Sequence, residues 1–139
     1  MAKRIKTPPA QQGGRIKSAA TSSDTSTEQQ PPNFSLRYLN GRYCLSECAA
    51  DERAAFASKL LQLSKLTWSQ IRNAPRHGVG SEKIAQAAIN AAIPRHVTPD
   101  VTLLAIRFDG LKAMVGYRVA ATYYILWVDR DFSLYDHGA

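Results

Sequence analysis

Four side chains near the end of the chain, Arg118, Arg130, Tyr135 and His137, are of the types that handle phosphate and nucleobase. A guanidinium presents a planar fork of donors that matches phosphate oxygens. Tyrosine rings give bases a surface to stack on. Free imidazole exchanges a proton near neutrality. All four fall in GYRVAATYYILWVDRDFSLYDHGA, residues 116–139, otherwise the most hydrophobic stretch of the chain. Two more cations, Arg107 and Lys112, stand just upstream.

A second group lies in PRHGVGSEKI, residues 75–84, where Arg76, His77 and two glycines precede Lys83. If a helix starts at Ser81, its free amides attract an anion and the cations add to that pull. Arg76, His77 and Lys83 therefore make a secondary phosphate site, beside the plainer reading of a glycine-bent, solvated loop. It is not a Walker A loop, because G-x-x-x-x-G-K-[ST] is absent. The histidines at 77, 96 and 137 lack metal-ligand spacing, and no H-E-x-x-H or G-x-S-x-G occurs. Cys44 and Cys48 stand four apart with no second ligand pair, so free thiols are expected. Neither a metal nor a cofactor is implied.

Such groups need a scaffold. The chain has 139 residues, 45% of them hydrophobic, enough for one domain with a core. Its formal charge of +7 favours polyanions, nucleic acid above all. No apolar run reaches the roughly 18–20 residues of a membrane span, and no h-region follows the charged start, so a cytoplasmic protein is expected. Residues 1–33, rich in Ser, Thr, Gln and Pro, read as a disordered tail of net charge +3.

From residue 34 the pattern is globular, a single α+β domain over 34–139. FSLRYL, residues 34–39, alternates like a strand and ends at Asn40-Gly41. Residues 50–66 read as a helix, with Phe56, Leu60 and Leu63 on one face. Thr67 and Gln70 form a capping box for a short helix that Pro75 stops, with Trp68 as a core anchor. Residues 81–92 read as a third, alanine-rich helix capped by Ser81. Residues 101–109, 112–120, 122–130 and 132–137 then read as an antiparallel meander, with His96 exposed in the linker before it.

Asp109-Gly110 predicts a two-residue hairpin turn, with Arg107 opposite Lys112 and Val101 opposite Arg118. Alternation then sets Leu104, Ile106, Phe108, Ala113, Val115 and Tyr117 against the helices. Arg107, Lys112, Met114, Gly116 and Arg118 occupy the other face, turned to solvent. A second turn at Ala120-Ala121 brings Tyr123 and Trp127 beside Arg118. A cationic, aromatic-edged face of that kind suits phosphate binding and base stacking.

Strand, helices and meander, with GYRV in a central strand and LY near the end, resemble the RelE/ParE superfamily of bacterial toxins over residues 34–139. The resemblance implies a metal-independent, ribosome-dependent mRNA endonuclease, held in check by a cognate antitoxin protein. In that family the 2′-hydroxyl is oriented for in-line attack while cations stabilise the crowded phosphate. It implies that Arg118 holds the scissile phosphate, Arg130 neutralises developing charge and Tyr135 stacks on a base or shares a proton. His137 would be the acid or base. The alternative, from the same cationic face, is a non-catalytic nucleic-acid- or protein-binding module of phage or mobile-element origin.

Overall fold

Which side chains meet in this protein depends on the register of one hairpin. The computed structural model describes residues 27–75 and 79–136, so Arg76, His77 and His137 lie outside the described residues. The hairpin joins β3 (Leu103–Asp109) to β4 (Lys112–Val119). Asp109 pairs with Lys112, so the loop residues are Gly110 and Leu111, and Gly110 takes φ +59°. A bulge between Arg107 and Asp109 absorbs Phe108, and beyond it Arg107 pairs with Ala113 and Ile106 with Met114. The expected pairing is therefore off by one residue. In a strand that single slip exchanges which side chains share a face.

The exchange overturns the expected open cationic face. Met114 joins Ile106, Phe108, Tyr123, Ile125 and Val128 against α1 (Ala50–Leu63) and α2 (Trp68–Asn73). Arg118 and Lys112 share the parity of Met114, so they sit at the two ends of the helix-covered face. Leu103, Ala105, Ala113, Val115 and Tyr117 point the other way, and that side is closed too. Tyr43, Ile84, Ile89, Val97, Leu134 and Tyr135 pack across it. Five successive residues of β4, Ala113–Tyr117, are buried, as a strand covered on both faces requires.

The whole sheet has five strands in the order β1-β5-β4-β3-β2. β5 (Thr122–Asp129) follows β4 through the Ala120-Ala121 turn, and Arg118 pairs with Tyr123 as the sequence suggested. β1 is only Asn33–Ser35 and runs parallel to β5, making the sheet mixed. The predicted third helix is not formed. Ser81–Ile84 is the edge strand β2, paired with β3, and Gln86–Ala88 is a single 3-10 turn. An alanine-rich stretch has little apolar surface to hold a helix in place, and pairing on β3 fixes it as extended chain instead. Residues 132–136 form no strand either; they loop back, with Phe132 at φ +62°.

Both helices start where expected. Gln70 N–H donates to Thr67 Oγ1 at 3.2 Å, and Gln70 Oε1 accepts from Thr67 N–H at 2.9 Å. Glu52 Oε1 accepts from Ala49 N–H at 2.7 Å, satisfying an amide at the α1 start. Its other oxygen takes Lys112 Nζ at 2.9 Å, which ties the hairpin to the helix. Residues 28 and 30 dock on the start of α2: Trp68 and Ser69 N–H donate to the Gln30 and Glu28 carbonyls, each at 2.9 Å. Among the described residues no helix is long and apolar enough to cross a membrane.

Candidate functional site

Where β3 begins and β4 ends, the sheet opens into a cleft of about 780 Å³. Trp68 and Arg72 of α2, Lys83 of β2, His96 of the linker, and Tyr117 and Arg118 of β4 all line it. Trp68 and Arg72 stand four residues apart on one helix, hence on one face. The capping box sets where that helix starts and so where both project. Trp68 is fixed by its indole N–H, which donates to the Ala121 carbonyl at 2.9 Å.

Arg118 has its position dictated from three sides. Its guanidinium carbon lies 4.4 Å from the Trp68 ring centre. Nε donates to the Ala120 carbonyl at 2.7 Å, and Nη2 faces Glu28 Oε2 at 2.5 Å. Arg72 reaches the other oxygen of the same Glu28 carboxylate. Partial burial works against the charge on Glu28. The hydrogen bond and field of Arg118, then those of Arg72, outweigh it and hold the carboxyl below its usual range. Two guanidiniums from different elements thus converge on one anionic group at the cleft.

His96 and Tyr117 also line the cleft, and behind them, on the sheet face away from the helices, lies an aromatic cluster. His96 lies 4.2 Å from Tyr38 and 5.7 Å from Tyr117, centre to centre. Tyr117 stacks on Tyr124 at 5.1 Å and 14°, and Arg37 sits 5.3 Å from the Tyr38 ring. Burial, then the neighbouring Tyr38 and Tyr124, push the Tyr117 hydroxyl up, so it remains a neutral hydrogen-bonding group.

Of the candidate site residues expected from the sequence, Arg118 and Lys83 are, among the described residues, the ones that share this cleft. Lys112 is at the far end of β4, six residues and roughly 20 Å from Arg118. There it pairs with Glu52, whose carboxylate raises its pKa. Arg107 lies near that end, opposite Ala113. Arg130 follows β5, seven residues beyond the partner of Arg118 and again roughly 20 Å away. Its Nη1 donates to the Arg42 carbonyl at 2.7 Å. Tyr135 is buried in the core layer opposite the helices. The expected grouping of Arg118 with Arg130 and Tyr135 is not formed: β5 carries Arg130 to the other end of the sheet, and Tyr135 is packed in the core layer rather than lining the cleft.

At that other end the chain closes with a polar clasp. Arg42 pairs with Asp131 at 3.1 Å and donates to Ser133 Oγ at 3.0 Å. Ser133 Oγ in turn lies 2.6 Å from Asp131 and 2.9 Å from the Tyr43 hydroxyl. The wholly buried Asp129 accepts from Ser133 and Leu134 N–H. Such saturation fastens a terminus and leaves little for a substrate. Cys44 and Cys48 are free thiols. Among the described residues no group of three His, Cys, Asp or Glu side chains is placed to hold a metal ion.

Sequence reasoning missed Trp68, Arg72, His96 and Glu28 as members of one site. The i, i+4 spacing of Trp68 and Arg72 was a usable signal. The position of Glu28 was not readable, since nothing local marks it as docked. No family model matches the chain, and no curated protein or solved structure matches it significantly.

Proposed function

We propose that the protein binds single-stranded RNA in the cleft between α2, β2 and the end of β4. The observation that carries this reading is the convergence of Arg118 and Arg72 on one anion position, in a cleft that Lys83, His96 and Tyr117 also line. Paired guanidiniums bind a phosphate, and the exposed His96 ring at the cleft offers a surface for a base. A cleft that offers cations and ring faces together suits one flexible strand, whose bases are free to stack, better than a rigid duplex.

The test is binding of a fluorescein-labelled oligouridylate, with salt varied. Arg118→Gln is expected to weaken binding about ten-fold, because it removes charge-assisted hydrogen bonds. It should also flatten the plot of log K against log salt by about 0.7, the share of one phosphate contact on a single strand. An Arg118→Gln variant that binds like the wild type at low salt ends this reading.

Cleavage is the second reading, favoured by His96. In a cleft that a histidine and three cations line together, the imidazole is the acid/base candidate and the cations would stabilise a crowded phosphate, with the 2′-hydroxyl as nucleophile. The resemblance to RelE/ParE toxins extends this to ribosome-dependent cleavage of mRNA and to a cognate antitoxin covering the site. Induced expression in a bacterial host with primer-extension mapping decides the matter. Growth arrest with mapped cuts, both lost in His96→Ala, supports catalysis; unbroken messages leave a binding module.

A further inference from the structure

The anion position in the cleft is already filled by the chain itself. Glu28 is the group on which Arg118 and Arg72 converge, one carboxylate oxygen for each guanidinium. Carboxylate and phosphate present the same pair of oxygens to a guanidinium fork. Glu28 therefore stands where the RNA reading places a phosphate.

The segment that carries Glu28 is held by its backbone. Its carbonyl accepts from Ser69 N–H, and that of Gln30 from Trp68 N–H, both at 2.9 Å. These cap the first amides of α2 through backbone carbonyls, so the Glu28 side chain can leave the arginines while they stay in place. The carboxylate keeps about 30% of its side-chain surface exposed, so an incoming anion can reach it. Lys83, on the edge strand and exposed, remains as a landing point at the rim.

We infer that Glu28 is a built-in competitor: its carboxylate occupies the phosphate position between Arg118 and Arg72, and RNA binds by displacing it. The inference rests on the RNA-binding reading above and adds to it a self-occluded resting state. Binding then exchanges one anion for another at the arginines, so the free protein has little affinity for isolated phosphate. An oligonucleotide succeeds because its neighbouring phosphates and bases engage Lys83 and His96 at the same time.

The experiment measures affinity for an oligouridylate of about twelve nucleotides, within the site sizes common for single-strand binders. It uses the full chain as wild type, Glu28→Gln, Arg118→Gln and the double variant, each checked for folding by circular dichroism. Glu28→Gln is expected to bind roughly five-fold tighter than the wild type, the scale of an ion pair removed at a partly exposed site. The gain should vanish in the double variant. Unchanged or weaker binding by Glu28→Gln, with Arg118→Gln still defective, would mean that Glu28 merely orients the arginines; that overturns self-occlusion and leaves RNA binding intact. If Arg118→Gln binds as well as the wild type, the cleft is not the site and both ideas fall. Should Glu28→Gln fail to fold, Glu28→Asp keeps the charge with a shorter reach, and tighter binding is expected there too.

Discussion

A guanidinium that stacks on an indole, donates to a carbonyl and faces a carboxylate has one direction in which to point, and Arg118 meets all three conditions. Its type and strand position were legible in the sequence; its face was not, because a one-residue bulge decided that. The terminal clasp shows the reverse case, in which side chains of a catalytic type do structural work. Ser133, then Arg42, holds the Asp131 carboxyl at about 2, against an ordinary value of 3.8. A carboxyl depressed in the folded state adds stability above its unfolded pKa, and that stability is lost as pH falls through the folded value. The window here is therefore about pH 4 down to about pH 2. Asp131 is 40% exposed, so solvent screening keeps its share below about 1 kcal/mol. Asp131→Asn should lower the urea midpoint at about pH 5 and leave it near the wild-type value at about pH 1, below the folded pKa, where both side chains are neutral. Equal losses at both pH values would point to the neutral Ser133 hydrogen bonds instead.

Elements were legible where local chemistry and packing agree. The Thr67–Gln70 box placed α2, the Phe56–Leu60–Leu63 spacing placed α1, and alternation found β3, β4 and β5. Residues 81–92 failed because helix propensity is a weak force beside pairing on a sheet edge. The pairing of β4 with β5 shows another local conflict resolved by the fold. The register shifts between Val115 and Gly116, and Tyr124 O would lie 1.9 Å from a Cβ at position 116, so only glycine fits. At the following turn Ala120 is held at φ +53°, where an L-residue is strained. Its carbonyl accepts from Arg118 and its side chain is exposed, so nothing in its packing is lost to a smaller residue. Ala120→Gly should relieve about 1–2 kcal/mol of left-handed strain and return part of it as unfolded-chain entropy. The net expectation is a gain of about 0.5–1 kcal/mol, read as a melting temperature higher by a few degrees. A lower melting temperature would show that the strain estimate is wrong for this turn.

At the scale of the molecule the sheet separates two tasks. Its cleft end carries Trp68, Arg72, Lys83, His96 and Arg118. Its other end carries the hairpin, the Lys112–Glu52 tie and the Arg42–Asp131–Ser133 clasp. The strands between are covered on both sides, so they transmit position but expose little. Sequence alone could not divide the cations in this way, because nearness in the last twenty-odd residues hides the length of β5. The division has a measurable consequence. Leu134, wholly buried beside the clasp, should cost about 2–5 kcal/mol when cut to alanine, through lost burial and the cavity left behind. Oligouridylate affinity, measured well below the melting transition, should stay within about two-fold of wild type, since the distant site keeps its independent contacts. Arg118→Gln should do the opposite, with a small loss of stability and a large loss of affinity. An affinity loss in Leu134→Ala that matches Arg118→Gln would mean the site reaches to the carboxy-terminal end, and would return Arg130 and Tyr135 to it.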